Sequence, residues 1–76
     1  MATTDMDVEI VEKIGVLSVN EKSGWQKEFN RVAWNGKAPK YDIREWSPDY
    51  TKMSRGVTLS DAEAVALKGL LEGCLP

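Results

Sequence analysis

The 76-residue chain contains no histidine and one cysteine, Cys74. Without histidine, the usual base beside a serine or cysteine nucleophile is missing, and the common triads cannot be built. The same shortages remove the ordinary zinc ligands, and the acids do not reproduce a calcium-loop spacing, so no metal is expected. A lone cysteine cannot close an internal disulfide, which fits a reducing compartment. No apolar run approaches the roughly 20 residues a membrane helix needs, and the opening MATTDMDVE has no basic start leading into an apolar stretch. A soluble, cytoplasmic protein without cofactor or membrane contact is the expectation. No glycine-rich phosphate cradle occurs. Asp42 and Glu45 are the nearest approach to paired carboxylates, but their odd separation would point them to opposite faces of a strand. A protein that is not an enzyme is therefore expected.

A chain of this size supports one small core and usually needs a disulfide, a metal or a partner subunit to stabilise it. With the first two unpromising, self-association is the favoured stabiliser. The net charge of -2 would by itself argue against nucleic acid, but it hides a segregation. Residues 1–21 hold five acids and one base, and residues 56–76 carry a net -2. Residues 22–55 hold eight bases (Lys22, Lys27, Arg31, Lys37, Lys40, Arg44, Lys52 and Arg55) against four acids. All six aromatics, Trp25, Phe29, Trp34, Tyr41, Trp46 and Tyr50, fall in the same block. Rings and positive charge that travel together suit a surface that tracks phosphates while stacking bases.

Residues 1–8 read as a loose tail and residues 9–76 as a single domain. From Glu9 to Val19 the β-branched content favours a strand. NEKSG, residues 20–24, is turn chemistry, and Trp25 to Trp34 is a second strand. The Asn35-Gly36 pair marks a hairpin, because both residues accept the positive φ of a tight turn. Pro39 cannot donate a ladder hydrogen bond, so the third strand should start at Lys40 and run to Trp46. SPDYT breaks it, and Met53 to Leu59 is a short fourth strand. Ser60, with Glu63 three residues on, is a capping box opening the one convincing helix. Ala62, Val65, Ala66, Leu70 and Gly73, flanked by Leu67 and Leu71, give that helix a broad apolar face. The class implied is α+β, an antiparallel sheet packed on one terminal helix.

Period-2 alternation places Trp25, Lys27, Phe29 and Arg31 on one face of the second strand, and Lys40, Asp42, Arg44 and Trp46 on one face of the third. Trp34 falls on the opposite face of its own strand from Phe29 if the strand is regular, but it abuts the turn, where a bulge could redirect it. Phe29 and Tyr41 are equally candidates for the core, where aromatic residues of small domains commonly pack. A face carrying lysines and arginines is a poor core, however, so the rings sharing it are expected to be partly exposed.

Trp34-Asn35-Gly36-Lys37, then Tyr41-Asp42-Ile43-Arg44-Glu45-Trp46, then Arg55-Gly56-Val57-Thr58-Leu59-Ser60 opening a helix, together resemble the transcriptional coactivator family of positive cofactor four, most closely its small bacterial YdbC-like members. The likeness spans roughly residues 8 to 72. It implies a curved four-stranded antiparallel sheet followed by a C-terminal helix, a homodimer, and single-stranded nucleic acid laid across the strands with little sequence preference. By position, Trp34 and Lys37 match the family's hairpin aromatic and lysine. Arg44 matches the third-strand arginine and Trp46 the aromatic after it, while Lys52 and Arg55 match the basic loop. The segment from Trp46 to Gly56 is shorter than in members with a long loop. The serine- and lysine-rich N-terminal tail of the eukaryotic coactivator is absent, so coactivation by that route does not carry over.

The expected function is single-stranded DNA binding, with RNA as a second possible ligand, in transcription regulation or DNA maintenance. The candidate contacts are Lys22, Trp25, Lys27, Phe29, Arg31, Trp34, Lys37, Lys40, Arg44, Trp46, Lys52 and Arg55. The rival reading is a protein-interaction module whose exposed rings and Arg44 are hot spots. A steep salt dependence belongs to the first reading alone.

Overall fold

A computed structural model describes residues 7–76. Four strands and a helix follow one another: β1 (Val8–Val19), β2 (Gln26–Trp34), β3 (Lys40–Trp46), β4 (Val57–Leu59) and α1 (Asp61–Cys74). The strands form one antiparallel sheet in chain order, as the alternation predicts. Of the tail expected over residues 1–8, residues 1–6 lie outside the described residues, and Val8 already belongs to β1. The fourth strand is shorter than Met53–Leu59: Met53 makes only an isolated bridge to Trp46, and regular pairing begins at Val57.

Each connection follows from local chemistry. Asn20 Oδ1 accepts from the backbone N–H groups of Lys22 and Ser23, and Gly24 takes φ 81° to close the first turn. Asn35 and Gly36 adopt φ 53° and 74°, and Lys37 N–H donates to Trp34 O across them at 2.9 Å. Both positive φ values are those of the tight hairpin turn read from the Asn-Gly pair. Ser60 Oγ accepts from Glu63 N–H while Glu63 Oε1 accepts from Ser60 N–H, completing the capping box. Three register shifts interrupt the β1–β2 ladder, and such bulges bend a strand and sharpen its twist, which curves the sheet.

The sheet has two chemically different faces, fixed by register. Glu28 pairs with Arg44, Asn30 with Asp42, and Asp42 with Thr58, so these residues share one face. Phe29 pairs with Ile43, and Tyr41 with Leu59, on the other. The helix lies against this second face, where Phe29, Leu59, Ala64, Leu67 and Leu71 line a common groove. Phe29 and Tyr41 stack there with ring centroids 5.6 Å apart and planes 8° from parallel. The broad apolar stripe of α1 is only partly used, since no residue of the helix is fully buried and Val65 and Leu70 are 70% and 71% exposed. The best-buried side chains lie on the helix-free face, and they are largely polar: Glu28, Asn30 and Asp42 join Val32 and Trp46.

Candidate nucleic-acid interface

The helix-free face is built on a polar floor. Buried polar groups must find partners or destabilise the fold, and here most find one another, while Asp42 Oδ2 and the Trp34 and Trp46 indole N–H groups have none. Glu28 accepts from Gln26 Nε2 at 2.9 Å, Asn30 Nδ2 at 3.0 Å and the Tyr50 hydroxyl at 2.6 Å. Asn30 Oδ1 in turn accepts from Ile14 N–H. Burial opposes the charge on Glu28, but the hydrogen bonds from Tyr50, Asn30 and Gln26, with the nearby Lys13 ammonium, outweigh it and hold the carboxyl below its ordinary value. The same hydrogen bond to Glu28, together with burial, raises the Tyr50 phenol.

Above this floor stands a cationic and aromatic group. Arg44 Nε donates to Asp42 Oδ1 at 2.7 Å, with side chains 11% and 0% exposed, and its terminal nitrogen reaches Ser54 O at 3.3 Å. So held, the guanidinium carbon lies 4.5 Å from the centroid of the Trp34 ring, a cation–π contact. Trp34 is half-buried, and Lys37, Lys40 and Arg44 line an open groove with it. The face therefore presents a positioned ring ringed by three cations.

The twelve candidate residues divide in space. Trp34, Lys37, Lys40 and Arg44 come together on the helix-free face or at its hairpin edge. Lys27, Phe29 and Arg31 lie on the opposite side of the sheet, because they alternate with Glu28, Asn30 and Val32 along β2. The two strand faces proposed from the sequence are thus opposite surfaces, and the second-strand group does not extend the first. Phe29 belongs to the packing beneath the helix, and Arg31 lies over the Tyr41 ring at 5.3 Å. Trp46 is a further correction: on the right face, it is only 4% exposed, because the loop after β3 folds back and sets Tyr50 against it at 5.9 Å. It is core, not an open platform. Lys22, Lys52 and Arg55 are exposed on loops, and Trp25 is half-buried beside Pro48 and Lys52.

Sequence reasoning passed over Lys13, Tyr50 and the floor residues. The signal for the floor was present: Gln26, Glu28 and Asn30 fall at the same alternation as Trp34 and mark that face as polar. Tyr50 carried no such signal, because it lies in an irregular loop whose path only the tertiary structure defines.

Two comparisons bear on this arrangement. A family model described as Transcriptional Coactivator p15 (PC4) matches residues 21–70, the span from the first turn into the helix. A chain from Treponema pallidum (strain Nichols), described as an uncharacterized protein, is 49% identical over 67 residues, covering 88% of this chain and 78% of its own length. Among the described residues no helix is long and apolar enough to cross a membrane.

Proposed function

We propose, for a chain that belongs to the transcriptional coactivator p15 (PC4) family, that it is a non-enzymatic single-stranded DNA-binding protein of the bacterial cytoplasm, acting in transcription regulation or DNA maintenance. That family is associated with single-stranded DNA binding and transcription coactivation. The observation that carries the reading is the Trp34 group: one indole held in place by Arg44, with Lys37 and Lys40 beside it, on the sheet face the helix leaves open. A ring accepts any base, because every base has a flat face, and the exposed Lys37 and Lys40 neutralise the phosphates on either side. Binding of this kind favours unpaired strands and has little sequence preference.

The same reading makes the protein a homodimer. Its support is the unused half of the helix and its C-cap, where Val65, Leu70 and Leu75 are exposed next to an apolar groove of about 570 Å³. A domain this small gains most by covering such a surface with a second copy.

The test is a fluorescence titration with a thymine homopolymer at two salt concentrations. Trp34→Ala should weaken binding by about 1–3 kcal/mol with the salt dependence unchanged, since a stack and not a phosphate contact is lost. Lys37→Ala should flatten the slope of log affinity against log salt by about 0.7, the value for one phosphate of a single strand. A parent protein that ignores the homopolymer, or binds a duplex of the same length equally well, would sink the proposal.

A further inference from the structure

The burial of Trp46 leaves one end of the helix-free face without the ring that the sequence assigned to it. Another ring occupies that end. Tyr50 lies against Trp46, half-buried, with its hydroxyl bonded to Glu28 and the Lys13 ammonium 3.9 Å from its centroid. Its backbone has φ 62°, a conformation that is a true outlier for a bulky side chain and persists only where the surroundings enforce it. The surroundings here are unusually complete for a surface loop. Tyr50 N–H donates to Ser47 O, Ser47 N–H donates to Lys52 O, and Asp49 accepts from Ser47 Oγ, Thr51 N–H and Thr51 Oγ1. The loop is tied so that one ring is delivered to one place.

That place faces the same side as Arg44. Lys13 pairs with Asn30, Asn30 with Asp42 and Asp42 with Thr58, so Lys13 ends a row that crosses all four strands on the helix-free face. Lys13, Trp46, Tyr50 and Lys52 line an open groove of about 800 Å³, and the two lysines are exposed. Asp7 and Glu9 also line it, which directs a polyanion to the Lys13 and Lys52 side.

We propose that Tyr50 is a second base-stacking platform of this face, and that Lys13 covers its ring in the free protein and moves to a phosphate when a base arrives. The inference rests on the single-strand-binding reading above and adds to it a second contact point, supplied by the loop between β3 and β4 and by β1. An ammonium over a ring and a base over a ring use the same π-face. The exchange therefore keeps the ring covered in both states while placing the lysine's charge where the strand carries its own.

Three substitutions test this with the thymine homopolymer. Tyr50→Gly suits φ 62° without strain and removes the ring; it should weaken binding about 5- to 150-fold, the range for one base stack, with the salt slope unchanged. Tyr50→Phe keeps the ring and loses only the bond to Glu28, and it should bind within about twofold of the parent. Lys13→Gln should flatten the salt slope by about 0.7. If Tyr50→Gly fails to fold, Tyr50→Leu, which keeps an apolar contact with Trp46 but has no π-face, takes its place with the same expected loss. The proposal is overturned if the ring-free variant binds as the parent does, or if Tyr50→Phe loses as much as Tyr50→Gly, because the residue would then serve only to anchor the loop. Loss in Trp34→Ala beside no loss in Tyr50→Gly removes this inference alone, whereas a parent that does not bind removes both.

Discussion

Arg44 stands at the junction of fold and site, and its replacement by alanine should be felt first as instability. The residue pairs with Asp42 through a 2.7 Å bond, and the Asp42 side chain is fully buried with its second oxygen, Oδ2, already lacking a partner. Arg44→Ala would leave a buried carboxylate with neither its counter-charge nor its hydrogen bond, a change that costs about 3–5 kcal/mol when one member of a buried pair is removed. Domains of this size have total stabilities of only about 5 kcal/mol. With a urea m-value near 1 kcal/mol/M, the unfolding midpoint should fall by about 3 M or more, enough to unfold much of the protein in buffer. If the cause is the stranded charge, Asp42→Asn on the Arg44→Ala background should restore a large part of the loss, because a neutral amide is far less costly to bury. Urea denaturation followed by tryptophan fluorescence reads both variants. A loss below about 1 kcal/mol, as for an exposed pair, or an Asp42→Asn double variant no more stable than the single one, would refute the reasoning.

Gly56 lies so close to β3 that an added Cβ would collide with Ile43 O and Arg44 Cβ. Gly56→Ala should therefore destabilise the protein by about 1–3 kcal/mol, measured as a lowered thermal midpoint. Acidification should loosen the helix-free face through Glu28: its carboxyl is held below the ordinary value of 4.5. The stability it supplies is thus complete above that value and lost as pH falls through the depressed native one. Glu28→Gln should flatten the dependence of thermal midpoint on pH in that acid range, and an unchanged dependence would remove Glu28 as its source. Leu70→Lys places a charge on the exposed helix stripe; the parent should show a dimer mass by light scattering at micromolar concentration and this variant a shift toward monomer.

The elements were legible because each rests on local chemistry. The Asn35-Gly36 turn, the start of β3 after Pro39 and the Ser60–Glu63 capping box all stand where residue type alone puts them. Trp34, Lys37, Lys40 and Arg44 were each named from the sequence, Trp34 and Lys37 through the family likeness, but their grouping appears only in the structure, because alternation within one strand does not set the pairing between strands. The errors have two physical causes, and the first is that alternation sorts residues into two faces but does not say which face the helix covers. Phe29 with its flanking Lys27 and Arg31 looked like an open surface, and the helix is on that side. Trp46 looked open because nothing in SPDYT reveals that the loop doubles back to set Tyr50 upon it.

The strict alternation along β2 and β3 also decides how the protein tolerates change. Neighbouring residues serve opposite surfaces: Glu28 carries the floor of one while Phe29 packs the other, and the pairs Asn30 and Arg31, or Asp42 and Tyr41, repeat the division. A substitution on one surface can leave the other intact, so the polar face and the helix packing are free to change separately. A single-residue insertion or deletion within either strand has no such freedom. It would exchange the two sets wholesale past the point of insertion, sending carboxylates beneath the helix and rings onto the polar floor. Length changes are therefore tolerable in the turns, and the central strands can change composition far more readily than residue count.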